Sequence, residues 1–206
     1  MRGYYFITDQ KLSRAGMFSD VEKAISAGVR IVQYRNKDAS TRQMIKEAKE
    51  LRRVCRKTLF LVNDRVDVCL AAGADGVHLG QDDMDPAMAR KILGDGMVIG
   101  VTAHNVEEAL RAQHSGALYL GVSPIFPTRT KRDAGRAAGI GLIREIKKHT
   151  HLPVVAVGGI KFTNAASVIE AGADCLCAIS AVVTAEDVKA EIGKFQALYG
   201  IRHKRS

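Results

Sequence analysis

Two aspartates, Asp64 in NDR and Asp83 in GQDD, share the chain with Arg35, Lys37 and a hydroxyl-rich basic stretch, SPIFPTRTKRDAG, residues 123 to 135, that carries Lys131. Such carboxylates can ligate Mg²⁺, which takes oxygen donors, keeps waters and bridges substrate phosphates. Arg35, Lys37 and Lys131 can neutralise a diphosphate, the guanidinium as a fork and each ammonium as a point charge. A departing diphosphate gains charge as its bond breaks, so these cations would stabilise a transition state as well as bind. Gly158-Gly159 and the Ser180-Ala181 turn suit a second, monophosphate site on backbone amides.

Plainer roles compete with these. Gly158-Gly159 could be only a tight turn, and Asn63 or Asp64 could simply cap the next helix. His78, inside the apolar run GVHL, reads as a satisfied core or rim histidine. His104 has no second histidine at zinc-site spacing. Gln33 and Arg35 are harder to dismiss. They alternate with Val32 and Tyr34, so both face one side of a strand, where an unpaired buried Arg would be costly.

The elements that must position these groups alternate. Eight apolar runs read as strands: YYFIT, IVQYR, LFLVN, GVHL, MVIGV, YLGVS, PVVAV and CLCAI. Helical stretches separate them, and at Gly28, Gly73, Gly116 and Gly172 a helix ends in a glycine turn suited to the left-handed conformation. Ser19 with Glu22, Ser40 with Gln43, and Asn105 with Glu108 have capping-box spacing. Near-continuous apolar strands suit a parallel sheet covered by helices, and eight such units close a (β/α)8 barrel. An open doubly wound sheet is the alternative, but no GxGxxG follows the first strand. A barrel gathers its strand C-termini at one mouth. There would meet Gln33, Arg35 and Lys37; Asn63 and Asp64; Gln81 to Asp83; Thr102 and His104; Thr128, Thr130 and Lys131; then Gly159 and Ser180.

At 206 residues and 47% hydrophobic content, one compact domain over residues 1–200 with a basic tail at 201–206 is enough. No run of eighteen apolar residues and no leader pattern follows the start, so a cytoplasmic protein without membrane association is expected. Cys55, Cys69, Cys175 and Cys177 form no CxxC and read as small buried hydrophobes. The net charge of +9 favours anionic partners, yet 5% aromatic content without Trp supplies little to stack on bases, so nucleic acid is not expected. Clusters such as Arg52/Arg53/Arg56/Lys57 and Lys147/Lys148 read as solvated helical faces. Those basic faces offer no apolar patch, which leaves homo-oligomer formation open.

Taken in order, QYRNK, ND, GQDD, GVTAH, SPIFPTRTK, VGGI and AISA resemble the thiamine phosphate synthase family over nearly the whole chain, YYFITD to AISAV. The resemblance implies a TIM barrel that joins a hydroxymethylpyrimidine diphosphate to a thiazole phosphate, carboxylated or not, releasing diphosphate with the help of Mg²⁺. It implies that Gln33, Tyr34, Arg35, Asn36, Lys37, Asn63, Thr102 and Lys131 bind the pyrimidine diphosphate, with Mg²⁺ on Asp64 and Asp83. Thr128, Arg129, Thr130, Gly159, Ile179 and Ser180 would hold the thiazole phosphate. Arg35, Lys37 and Lys131 would carry the catalytic charge. Its mechanism is dissociative: diphosphate leaves, and the thiazole nitrogen captures a pyrimidine-methyl cation. Residues 128 to 139 are expected to close over the substrates. Thr102 stands where the family commonly has Ser, and Ser123 where Gly is usual; Thr102 keeps the hydroxyl. Competing functions are a thiazole tautomerase on the same barrel, a phosphate-sugar isomerase, and a non-catalytic phosphate- or RNA-binding module. Retention of Arg35, Lys37, Asp64, Asp83 and Lys131 speaks against the first, and the lack of a clear strand-end Glu against the second.

Overall fold

The computed structural model describes residues 1–128, 130 and 135–200. Its strands are β1 Gly3–Ile7, β2 Ile31–Tyr34, β3 Leu59–Asn63, β4 Gly76–Leu79, β5 Val98–Ala103, β6 Tyr119–Val122, β7 Val154–Val157 and β8 Cys175–Cys177. Among the described residues there are nine helices, one after each of β1 to β7 and two after β8: α1 Met17–Ser26, α2 Thr41–Val54, α3 Val66–Ala72, α4 Pro86–Leu93, α5 Val106–His114, α6 Gly139–His149, α7 Phe162–Glu170, α8 Ile179–Val183 and α9 Val188–Leu198. The strands pair in chain order, all parallel, and β8 closes on β1, which makes the expected (β/α)8 barrel. Each of the eight apolar runs supplies one strand.

Period-two alternation sorts the side chains into two layers. Tyr4, Phe6, Val32, Tyr34, Phe60 and Val62 point outward into the shell shared with the helices. Tyr5, Ile7, Ile31, Leu61, Tyr119, Val155, Cys175 and Cys177 fill the barrel interior. All four cysteines are buried and unpaired with one another, and burial pushes the Cys175 thiol up to about 12.

The four glycine turns have positive φ, from 63° at Gly73 to 106° at Gly172, the conformation for which glycine is the least strained choice. Two of these turns read Ala-Gly-Ala-Asp and end in a clamp at the foot of the barrel. Asp75 Oδ2 accepts from the Phe60 amide at 2.8 Å, and Asp174 Oδ2 accepts from the Val154 amide at 2.8 Å. Arg52 forks onto the Asp75 carboxylate, and Lys147 meets Asp174 at 3.0 Å. These two cations are therefore structural partners, which corrects their reading as part of a solvated face: the barrel foot supplies a carboxylate within reach of each.

Two further expectations change. The Ser40 and Asn105 caps accept from the Gln43 and Glu108 amides, but Ser19 lies inside α1, whose N-cap is Gly16, because the buried Met17 already belongs to the first turn. The helical faces also carry an apolar patch: Leu70, Met84 and Ile92 are exposed and line one groove beside α3 and α4. No described helix is long and apolar enough to cross a membrane.

Candidate active site

A cavity of about 250 Å³ opens at the C-terminal mouth of the barrel. Every strand contributes to its wall: Ile7, Gln33, Asn63, His78, Thr102, Gly121, Val157 and Cys177. Residues far apart in sequence thus converge as closure of the sheet requires.

On the β2–β4 arc stand the cations and acids. Arg35 is held from β1: its amide donates to Thr8 Oγ1 at 2.8 Å, and Nη1 lies 3.5 Å from Asp9 Oδ2, both side chains less than one-fifth exposed. Asp9 is fixed in turn, because its Oδ1 accepts from the amides of Lys11 and Leu12 at 3.1 Å. Lys37 Nζ stands 3.5 Å from Asp64 Oδ2. Asp64 caps no helix: α3 begins behind Arg65 without a side-chain cap, and Asp64 itself has φ 63°, with its amide donating to His78 O at 2.8 Å. That turn aims the carboxylate into the cavity. Burial, reinforced by Asp83, pushes Asp64 up to about 6 against the opposing effect of Lys37. The GQDD stretch folds back on itself, so that Asp83 Oδ2 accepts from the Gly80 amide at 2.7 Å; a Cβ on Gly80 would sit 2.9 Å from that oxygen.

No group of three or more His, Cys, Asp or Glu among the described residues could by itself hold a metal ion. Two neighbouring carboxylates, one of them kept short of full ionisation by its neighbour and its burial, are nevertheless a donor set that fits a hard divalent cation. Such an ion offsets their repulsion and fills its remaining positions with water and phosphate oxygen.

On the β6–β8 arc the wall is built from Thr128, Thr130, Gly159, Ile179 and Ser180. The β6 loop lies directly on the turn after β7: the amides of Ile125 and Phe126 donate to Val157 O and Gly158 O at 3.0 Å. Gly159 has φ 64°, and a Cβ there would come within 2.7 Å of Pro127 O. The two glycines are therefore required for loop packing, and they bring Thr128 and Thr130 to the cavity. Arg129, Lys131 and residues 132–134, with the part of the expected closing loop that they form, lie outside the described residues, as does the tail 201–206.

Tyr34 and Asn36 do not line this cavity. Tyr34 is the outward neighbour of Gln33; its Oη donates to Glu47 Oε2 on α2 at 2.6 Å, and Asn36 Nδ2 donates to the same oxygen at 3.0 Å. The cavity instead takes in His78, Gln81, His104 and Ser123. His78 is both satisfied, as expected, and on the wall; Tyr119 Oη and Thr102 Oγ1 are among its partners. Gln81 Nε2 donates to Thr102 O at 2.5 Å, and His104 pairs with Glu108. Asp9, just after β1, is hidden in the sequence, because a lone acid after an apolar run gives no sign of the cation from β2 that it meets.

A family model described as thiamine monophosphate synthase matches residues 4–182. The chain belongs to this family. Two relatives named thiamine-phosphate synthase support the assignment along almost the whole length. That of Methanosarcina barkeri is 53% identical over 193 residues, 93% of this chain and 88% of the relative. That of Chloroflexus aurantiacus is 50% identical over 205 residues, 98% and 94%. The solved structure of thiamine phosphate pyrophosphorylase from Pyrococcus furiosus superposes with a TM-score of 0.88 at 40% identity, covering 96% of this chain and 95% of that one.

Proposed function

We propose that this chain is a thiamine-phosphate synthase, a transferase that moves a 4-amino-2-methylpyrimidine-5-methyl group from diphosphate to the ring nitrogen of a thiazole phosphate. The observation that carries the reading is the opposed arrangement around one cavity: Arg35, Lys37, Asp64 and Asp83 on the β2–β4 arc, and Thr128, Thr130, Gly159 and Ser180 on the β6–β8 arc. Two phosphorylated substrates suit two such arcs, and a tautomerase acting on the thiazole alone would have no use for the first.

In this reading the C–O bond to the diphosphate breaks first, with both electrons leaving on oxygen, and the thiazole nitrogen lone pair then forms the new C–N bond. Arg35 and Lys37 offset the charge that grows on the departing oxygens, and Lys131 joins them from the β6 loop. Gln33, Asn63 and Thr102 orient the pyrimidine. Thr128, Arg129, Thr130, Gly159, Ile179 and Ser180 hold the thiazole phosphate, which sets the nucleophile in line and removes the entropic cost of encounter. Asp64 and Asp83 would hold Mg²⁺, which when bound supplies further neutralisation of the diphosphate. No side-chain nucleophile is called for, in keeping with the protonated Cys177 thiol on the cavity wall, raised by burial. Residues 128 to 139 closing over the substrates would keep water from the cation. The basic balance of the chain serves these anions rather than nucleic acid, and the enzyme is cytoplasmic.

The test is diphosphate release and thiamine phosphate formation from the two substrates, with Mg²⁺ and then with chelator. Metal-dependent product is expected. Folded protein that releases no diphosphate with either thiazole form would overturn the assignment.

A further inference from the structure

A chain of hydrogen bonds crosses the barrel interior beneath the cavity. Gln33 Nε2 donates to Tyr5 Oη at 2.8 Å; Tyr5 Oη and Tyr119 Oη are 2.8 Å apart; Tyr119 Oη and His78 Nδ1 are 2.8 Å apart; His78 Nε2 and Thr102 Oγ1 are 3.0 Å apart. It links β2, β1, β6, β4 and β5 and ends on a hydroxyl at the cavity wall. The barrel is built around it. A Cβ on Gly100 would fall 2.0 Å from Tyr119 Cζ, and one on Gly121 would fall 2.8 Å from His78 Cε1, so both strand glycines exist to admit these rings. His78 stacks on Tyr119 at a centroid distance of 5.4 Å.

The direction of the chain follows from counting protons. Tyr5 is 1% exposed and Tyr119 fully buried, so each phenol must place its single proton on a neighbour within the chain. Tyr5 already accepts from the Gln33 amide, which leaves Tyr119 as the acceptor for its own proton. Tyr119, accepting from Tyr5, must donate onward to His78 Nδ1. His78 then carries its proton on Nε2 and donates to Thr102 Oγ1, so the Thr102 hydroxyl proton is left to point into the cavity. With Gln33 Nε2 facing Tyr5, the reverse direction would leave Tyr5 accepting twice with no acceptor for its own proton, a cost of the kind that buried polar groups avoid; a flipped Gln33 amide would accept that proton and reverse the chain, and the tautomer of His78 distinguishes the two.

We propose that Tyr5 and Tyr119 are positioning residues that fix the Nε2–H tautomer of His78 and thereby make Thr102 a hydrogen-bond donor toward the bound substrate. The role in turnover rests on the synthase reading above; the tautomer does not. The substrate group recognised is a hydrogen-bond acceptor on the β5 side of the cavity, a ring nitrogen or phosphate oxygen rather than an amine.

Long-range ¹H–¹⁵N spectra of the wild-type protein, with His78 assigned by comparison with His78→Gln, read the tautomer without any turnover. A protonated Nε2 with a bare Nδ1 is expected. A proton on Nδ1, alone or with one on Nε2, would overturn the proposal even if the enzyme is an active synthase. Kinetics supply the second arm. Tyr119→Phe should lower kcat/KM for the pyrimidine diphosphate by about tenfold, the worth of one well-placed hydrogen bond, and should leave the KM for thiazole phosphate unchanged. In a Thr102→Val background, where no hydroxyl remains to be oriented, Tyr119→Phe should add no further loss. A full additional tenfold loss there would make Tyr119 merely structural and would reject the mechanism.

Discussion

Lys37 Nζ and Asp64 Oδ2, 3.5 Å apart on the rims of β2 and β3, pair a cation suited to diphosphate with a carboxylate suited to its metal. The lysine is nearly half exposed, so the pair itself is a weak clamp. Its use lies in exchange: an incoming diphosphate takes the ammonium, a cation takes the carboxylate, and neither group must first be pulled from a strong partner.

The same carboxylate makes stability depend on pH. Asp64 is raised to about 6 by burial and then by Asp83, so between about pH 4 and 6 the folded protein binds a proton that the unfolded chain has lost. The stability that this proton contributes should therefore be fully present below pH 4 and be lost through that window, about 3 kcal/mol in all. Asp64→Asn, melted in chelator at pH 7.5, should gain a few degrees in Tm while losing synthesis. A melting temperature for Asp64→Asn that is lower than wild type at that pH would contradict the assignment.

Asp9 aligns Arg35. In Asp9→Asn one amide oxygen can still accept from Lys11 and Leu12, so the turn survives, but Arg35 loses its charged partner. The expected result is less than about 1 kcal/mol of destabilisation with about a tenfold fall in kcat/KM for the pyrimidine diphosphate and an unchanged KM for thiazole phosphate. Parallel losses for both substrates would show that the loop had simply collapsed.

Tyr34→Phe should separate a barrel-shell residue from a ligand contact. Its phenol serves Glu47, which still receives bonds from Asn36 and Gln43, so removing it should cost about 1 kcal/mol in denaturant unfolding. KM for the pyrimidine diphosphate should stay within about twofold, since the ring lies behind the barrel wall. A rise of an order of magnitude would return Tyr34 to the substrate site.

The architecture was legible because each strand is an apolar run and four of the preceding helices end in a glycine turn of positive φ, at Gly28, Gly73, Gly116 and Gly172. The rim residues Arg35, Lys37, Asn63, Asp64, Asp83 and Thr102 were legible for a related reason, since a barrel obliges every strand end to meet. Alternation also places Tyr34: the argument that sets Gln33 and Arg35 inward sets their neighbour outward, where it meets Glu47. What stayed hidden depends on pairings between distant strands. Tyr119 and Tyr5 look like ordinary core aromatics until β1 and β6 are seen across the barrel, and the need for Gly100 and Gly121 appears only once the rings above them are placed. The salt bridges of Arg52 and Lys147 were masked in the same way, because a basic helix face looks identical whether it meets water or an aspartate from the next turn.

Gly159→Ala tests how the β7 turn builds the thiazole side. The added Cβ would meet Phe126 Cβ and Pro127 O at 2.7 Å, and the residue must keep φ 64°, so strain and contact act together. Destabilisation of about 1–3 kcal/mol is expected from the backbone conformation alone. The nearest relief is for the β6 loop to move away, which carries Thr128 and Thr130 with it. Thiazole phosphate KM should therefore rise several-fold while pyrimidine diphosphate binding, measured by calorimetry with Mg²⁺ and no thiazole, changes little. Gly73→Ala is the control: it has nearly the same φ of 63° but nothing within 4 Å of the new Cβ, so it should lose stability without altering either substrate. If Gly73→Ala raised thiazole phosphate KM as much as Gly159→Ala, the effect would belong to general loosening of the barrel and not to the loop that Gly159 seats.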